Sequence, residues 1–238
     1  MKFNIPIIIL CGGKGKRLGN ISKKIPKALV KMGNRSLLKQ KLNYYKSYGI
    51  KKFHFCIGYK GDQIRKHLLN FPTDNIFLNS GEKAGILKRI YDAQKEIGEP
   101  SIISYGDTLA KINLFKLYTE HKKSKALLTL VVSSIKNPFG LVEWNKSKKV
   151  TKFVEKPILN HFIGYAVINP EIFKFVSKKI INMKDGEGFV RIIDILSKKK
   201  LVNIFKFDGL KITVNSVKEL KEANLDFNKY FTIDETFK

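Results

Sequence analysis

The sequence predicts an α/β fold: a Rossmann-like, mostly parallel sheet flanked by helices, with a small β-rich part in the second half. Three observations predict it. Through the first 137 residues, short apolar runs alternate with amphipathic helical stretches, the rhythm of a parallel sheet covered on both faces. The first apolar run, Ile7-Ile8-Ile9-Leu10, leads straight into Cys11-Gly12-Gly13-Lys14-Gly15-Lys16-Arg17-Leu18, a buried strand opening into a loop. After about Pro138 the rhythm gives way to shorter strands and turns. At 238 residues the chain is long enough to bury one sizeable core. It is read as a single domain over 1–238, with parts 1–137 and 138–238.

Each element has its own local signal. Ile5–Leu10 reads as a strand. Ser36 is placed to cap a helix with Leu37, Leu38, Leu42 and Tyr45 on one face. Lys52–Ile57 is a second strand, Asp62–Leu69 a short helix and Asn75–Leu78 a third strand. Ile86, Leu87, Ile90, Ala93 and Ile97 form a helical stripe. Ser101–Tyr105 is a fourth strand, Leu114, Leu117 and Tyr118 mark a helix, and Leu127–Val132 is a fifth strand. Beyond Pro138, Leu141–Trp144 and Val150–Val154 pair around Asn145-Lys146-Ser147 as a hairpin. Ile163–Ile168 is another strand, and Pro170 suits the first turn of a helix. Phe189–Leu196 is helical, Asn203–Phe207 and Ile212–Val214 are strand-like, and Ser216 caps a last helix carrying Val217, Leu220 and Ala223 inward.

Composition narrows the function classes. No apolar run is long enough to span a bilayer and no signal pattern precedes the first strand, so the chain is read as soluble and cytoplasmic, without a membrane partner. The formal charge is +26, but 41 of the 46 basic residues are lysines spread along the whole chain. A nucleic-acid face would cluster its charge and use arginine, so the charge is read instead as attraction for small polyanions. Cys11 and Cys56 lie in apolar runs and are read as buried free thiols. His54, His67, His121 and His161 are scattered and give no zinc spacing.

The opening loop carries the chemistry. Its glycines let backbone N–H groups crowd an anion, because without a Cβ they approach closely and adopt positive φ. Arg17 offers a fixed fork of donors, and Lys27, after Pro26, a mobile point charge. The string is neither a Walker A loop nor a dinucleotide fingerprint, since Leu18 stands where the latter needs its third glycine. Ligands of open parallel sheets bind beyond the carboxyl ends of the strands. Besides the opening loop, 57–62, 83–89 and Tyr105-Gly106-Asp107-Thr108 fall there. Asp107 reads equally as a turn residue and as a magnesium ligand.

G-G-x-G-x-R-L with a distal P-K resembles the signature loop of the nucleotide-sugar pyrophosphorylases, the sugar 1-phosphate nucleotidyltransferases. The resemblance covers nearly the full chain. Cys56-Ile57-Gly58-Tyr59-Lys60-Gly61 and Leu87-Lys88-Arg89 are most similar to glucose-1-phosphate cytidylyltransferase within that family. The resemblance implies a GT-A-like nucleotidyltransferase fold, with 1–137 binding the nucleotide and 138–238 the acceptor. It implies that Leu10, Cys11, Gly12, Gly13, Gly15, Lys16, Arg17, Gly85, Gly106 and Asp107 bind a nucleoside triphosphate, CTP in preference. Arg17, Lys27, Asp107 and Lys156 would be catalytic. Gly140, Glu155, Lys156, Gly164 and Tyr165 would hold a small phosphorylated acceptor such as a sugar 1-phosphate. Mg²⁺ would sit on Asp107 and on Asn215, and homo-oligomers are compatible with the family.

Three residues depart from the family's pattern. Asn215 takes the place of a second metal-binding aspartate, with Asp208 a nearby carboxylate. Phe162 stands where an asparagine or threonine often meets the acceptor. Ile86 replaces an arginine of the cytidylyltransferase type. Two other readings stay open: transfer to a non-sugar phosphate, which Phe162 and Asn215 favour, and an inactive nucleotide- or nucleic-acid-binding module. A glycosyltransferase would carry a D-x-D motif at the strand end, where this chain has Gly106-Asp107-Thr108-Leu109. Read without the resemblance, Glu155-Lys156 is a surface ion pair.

Overall fold

The structure is a computed structural model and describes residues 5–230; the end of the 138–238 part lies outside the described residues. The first half runs β1 (Ile7–Leu10), α1 (Asn20–Lys24), β2 (Lys31–Met32), β3 (Arg35–Ser36), α2 (Leu37–Ser47), β4 (Lys52–Ile57), α3 (Gly61–Leu68), β5 (Asp74–Asn79), α4 (Ile86–Ile97), β6 (Ser101–Tyr105), β7 (Thr108–Ala110), α5 (Leu114–Ser124) and β8 (Leu128–Lys136). The second half adds β9 (Leu141–Trp144), β10 (Val150–Val154), β11 (Ile158–Ile168), α6 (Lys178–Ile181), α7 (Glu187–Lys198), β12 (Val202–Lys206), β13 (Lys211–Thr213) and α8 (Val217–Tyr230). Single 3-10 turns occupy Lys16–Leu18 and Lys27–Leu29, and a longer one Pro170–Phe175.

Seven strands form one sheet in the order β12-β8-β11-β6-β1-β4-β5, and only β11 runs against the other six. β1 is apolar throughout because both of its faces are covered. On one face α2, α3 and α5 deliver Leu38, Leu42, Tyr45, Ile64, Leu68, Leu114 and Leu117 to the core. On the other, α4, the Pro170 turn, α6 and α7 deliver Leu87, Ile90, Ala93, Ile172, Ile181, Phe189, Ile192 and Leu196. The Ser36 hydroxyl caps α2 by accepting from the Lys39 N–H at 3.1 Å.

A third, smaller cluster joins segments from both ends of the chain. Leu18, Val30, Met32, Leu37, Leu109, Val214, Ala223 and Phe227 pack together beside the sheet. Two short ribbons feed it: β2 with β3, and β7 with β13. The second ribbon joins residues about a hundred positions apart, Thr213 opposite Thr108. Sequence patterning places a strand near Ile212 but does not reveal this partner. It also starts β11 at Ile163, whereas the strand begins at Ile158 and pairs along β8, with an irregularity between Phe162 and Ala166. No alternation marks Ile158-Leu159-Asn160-His161-Phe162, because that end of the strand pairs with β8 alone, beyond the reach of β6, and its first residues are exposed. No described helix is long and apolar enough to cross a membrane.

Candidate active site

Because β1, β4, β5 and β6 are parallel, their following loops gather at one edge of the sheet. There they enclose a cleft of about 680 Å³. The opening loop lines it with Leu10, Cys11, Gly12, Gly13, Lys14, Gly15, Lys16 and Arg17; Lys27, Gly106, Asp107 and Asn215 complete one end. Lys83, Arg89 and Lys184 raise the cationic side chains to seven against the carboxylates of Glu82, Asp107 and Asp185. A cleft of that sign concentrates polyanions.

The glycines are needed for close approach. A Cβ on Gly12 would run into the Arg89 guanidinium, and one on Gly106 would sit 2.8 Å from the Leu10 carbonyl oxygen. Gly15 has φ 61°, in the left-handed region, and the Lys27 stem lies against it.

At the far end, four side chains from distant segments converge. Lys27 Nζ donates to Asp107 Oδ2 at 2.6 Å and to Asn215 Oδ1 at 3.0 Å. Arg17 Nη2 donates to the same Asn215 oxygen at 3.2 Å. Each is anchored by a buried neighbour: Leu18 beside Arg17, Ala28 beside Lys27, Val214 beside Asn215, and Leu109 two residues after Asp107. The ribbon fixes the register, since the Val214 N–H donates to the Asp107 carbonyl at 3.0 Å. Glu219 then holds Asn215 from behind, its Oε2 accepting from the backbone N–H groups of Asn215 and Ser216.

The neighbouring titratable groups are kept neutral. Burial pushes the Cys11 thiol up to about 12, so it is no nucleophile at neutral pH. Burial, and then the charge of Asp107, hold the Tyr105 phenol above its usual range. Charge in this cleft resides on arginine, lysine and a few carboxylates, with Asp107 the carboxylate at the converging end. That arrangement suits the stabilising of transferred phosphoryl groups rather than general base chemistry.

The nucleotidyl transferase family model matches residues 7–206, strand β1 through strand β12. The chain belongs to the nucleotidyl transferase family. It is 27% identical to the "Probable glucose-1-phosphate cytidylyltransferase" of Bacillus subtilis, over 93% of this chain and 96% of that one. It is 26% identical to the glucose-1-phosphate cytidylyltransferase of Salmonella typhimurium, over 71% and 77%. HddC from Yersinia pseudotuberculosis complexed with GMP-PN shares the fold, with TM-score 0.71 at 21% identity over 94% of this chain and 99% of its own.

In this nucleotidyl transferase the remaining sequence-predicted residues, Ile86 apart, fall outside the cleft lining. Gly85 opens α4, where a Cβ would collide with the Met183 carbonyl, so its place is to admit the 183–185 backbone; Ile86, which does line the cleft, donates its N–H to the Asp185 carbonyl at 2.6 Å. Gly140, Glu155 and Lys156 group together at the β9–β10 hairpin: a Cβ on Gly140 would lie 3.3 Å from Glu155 Oε2, and Lys156 Nζ is 3.7 Å from Glu155 Oε1, both side chains exposed. Gly164, at φ 80°, passes beneath Tyr105. The Tyr165 ring is fully buried; its hydroxyl donates to the Thr108 carbonyl at 3.1 Å and accepts from Lys41 Nζ at 2.9 Å. Asp208 lies by Lys211 and does not line the cleft. Phe162 stands edge-on to Tyr105, ring centroids 5.7 Å apart, and 6.1 Å from Phe189.

Arg89 enters the sequence reasoning only as part of Leu87-Lys88-Arg89, with no role of its own. Its guanidinium, 5% exposed, donates to the carbonyls of Ile57 at 2.5 Å, Gly81 at 2.7 Å and Ala84 at 3.2 Å. It thereby ties the loop after β4 to the loop after β5, underneath Gly12. The signal is present in the sequence: position 89 falls three after Ile86 and four before Ala93, on the apolar face of α4.

Proposed function

We propose that this chain transfers a nucleotidyl group, cytidylyl from CTP in preference, to a small phosphorylated acceptor such as a sugar 1-phosphate. The observation that carries this reading is the convergence of Arg17, Lys27, Asp107 and Asn215 at the end of a cationic cleft floored by a glycine loop. The relatives named as cytidylyltransferases support the choice of CTP.

In the proposed reaction an acceptor phosphate oxygen forms a bond to the α-phosphorus of the nucleotide in line, and the bond from that phosphorus to the bridging oxygen breaks. Pyrophosphate leaves with the electron pair. The acceptor is already anionic near neutral pH, so the task is to bring two anions together and neutralise growing charge. Residues 1–137 hold the nucleotide, its phosphates against the opening loop. Arg17 neutralises the leaving pyrophosphate, and Lys27 draws the α-phosphate toward the acceptor. Lys156, from the 138–238 part, brings in the acceptor phosphate beside Glu155. The oxygen donors of Asp107 and Asn215, already gathered about an ammonium, suit Mg²⁺, which takes one or two protein oxygens together with substrate phosphates. When bound, that ion supplies charge neutralisation at the phosphates.

A second reading keeps the chemistry and changes the acceptor. Phe162, packed against Tyr105 beside the cleft, gives a hydrocarbon surface where a sugar hydroxyl would need a partner. That favours a non-sugar phosphate.

The test is pyrophosphate release with CTP, UTP, GTP and dTTP against sugar 1-phosphates and non-sugar phosphates. Release with CTP and a hexose 1-phosphate is the expected result; release only with a non-sugar phosphate promotes the second reading. Arg17→Ala and Asp107→Ala should each lose a factor on the order of 10² or more in turnover while melting like the parent. Near-normal rates in both would remove the assignment.

A further inference from the structure

Lys27 does more in this structure than wait for a phosphate. Its ammonium is bonded at once to Asp107 Oδ2 and Asn215 Oδ1, the pair of protein oxygens that suit a metal ion. The side chains are mostly buried, Lys27 13% and Asp107 25% exposed, so water screens the pair only in part. Arg17 adds a second positive group on the same Asn215 oxygen. Asn215 is an amide, so the group carries one negative charge against two positive ones.

We infer that Lys27 is a resident counter-cation: in the nucleotide-free protein it occupies the position between Asp107 and Asn215, and metal entry is conditional on the nucleotide drawing Lys27 away. This rests on the metal-assisted reading of the site. The physics is a competition for the same oxygens. A divalent ion arriving alone must displace a salt-bridged ammonium and sit beside an arginine, with one carboxylate to neutralise it. The phosphates of an incoming nucleotide reverse that balance: they offer Lys27 and Arg17 better partners and bring further oxygens and negative charge. Free metal is therefore excluded, and the nucleotide enters before the metal or together with it. The Lys27 stem stays seated against Gly15, leaving the outer part of the side chain to swing.

The experiment is a titration of the nucleotide-free protein with Mn²⁺, free ion counted by electron paramagnetic resonance, for the parent, Lys27→Met, Lys27→Gln and Asn215→Asp. The parent should bind Mn²⁺ weakly. Both Lys27 variants should bind it tighter by on the order of tenfold or more, since each removes a unit charge in contact with the carboxylate. Lys27→Gln keeps the stem and a polar tip, so it remains informative if Lys27→Met folds poorly. Asn215→Asp should also tighten binding, by adding a carboxylate. Parent and Lys27 variants binding Mn²⁺ equally well overturns the inference. Pyrophosphate release by the parent in excess EDTA is measured beside it. Loss of release with equal Mn²⁺ binding removes only the role of Lys27; release that survives EDTA removes the metal reading itself, and the inference with it.

Discussion

Arg89 carries a permanent charge to a place where no described carboxylate comes within ion-pair distance. It is surrounded by carbonyl oxygens, whose partial charges it satisfies, and by Gly12 and Gly58, whose missing side chains leave it room. Removing it leaves the buried Ile57 carbonyl and the part-buried Gly81 and Ala84 carbonyls without this donor and lets the floor of the glycine loop drop. Arg89→Met is expected to cost about 3 kcal/mol of stability and to raise KM for the nucleotide by roughly tenfold, with kcat little changed. Guanidinium ion added to Arg89→Ala should recover part of the KM loss; urea at equal concentration should not. A residue acting only on global stability would show neither the KM-against-kcat split nor that rescue. Lys41 belongs to the same class of feature. It sits on the face of α2 that carries Leu38 and Tyr45, fully buried, and donates to Ser104, Tyr165 and Tyr45 hydroxyls. Both cations interrupt an apolar stripe, and in both helices the stripe alone is what periodicity reads.

Among the elements, α8 does the least for the sheet and the most for the site. Ser216 and Glu219 form a reciprocal cap at its start, the hydroxyl accepting from the Glu219 N–H at 3.2 Å and the carboxylate from the Ser216 N–H at 3.1 Å. The same carboxylate holds the backbone of Asn215. Glu219→Ala is expected to lower stability by about 1 kcal/mol and to reduce kcat severalfold, because Asn215 loses its support. Thermal melting and steady-state rates on one preparation separate the two effects. Ser216 is readable as a cap from sequence, as are the glycine loop and most of the sheet strands, because those signals are local. The β7–β13 ribbon is not: strands of three residues carry no periodicity, and their pairing crosses about a hundred positions. The placement of Gly140, Glu155 and Lys156 away from the cleft lining likewise depends on how the hairpin leaves the sheet, which no local pattern encodes.

At the scale of the molecule, stability should depend on acidity through two buried histidines. Burial holds both His54 and His121 at about 4, below the usual 6.5. The His54 Nδ1 atom has no hydrogen-bond partner among the described residues, and His121 Nδ1 lies 2.8 Å from Thr129 Oγ1. Below 6.5 the unfolded chain takes up protons that the folded chain refuses, so stability is complete above that pH and declines as pH falls toward 4. Each histidine should contribute a loss on the order of 2 kcal/mol across that window. Melting curves at pH 7, 6 and 5 should show the decline, and His121→Gln should flatten it; a profile unchanged by that substitution would assign the acid sensitivity elsewhere.

The Arg17–Asn215 hydrogen bond spans 198 positions of the chain. On a ribosome, Arg17, Lys27 and Asp107 emerge early, and the last strand of the large sheet ends at Lys206. Asn215 and its support on α8 come afterwards. A nascent chain can thus close its sheet and bury most of its core while one corner of the cleft is still missing. The corner that holds Asn215 is the last part of the cleft the growing polypeptide acquires, and a product of stalled translation that stops short of α8 would also leave Leu18, Val30 and Met32 without the cover of Ala223 and Phe227.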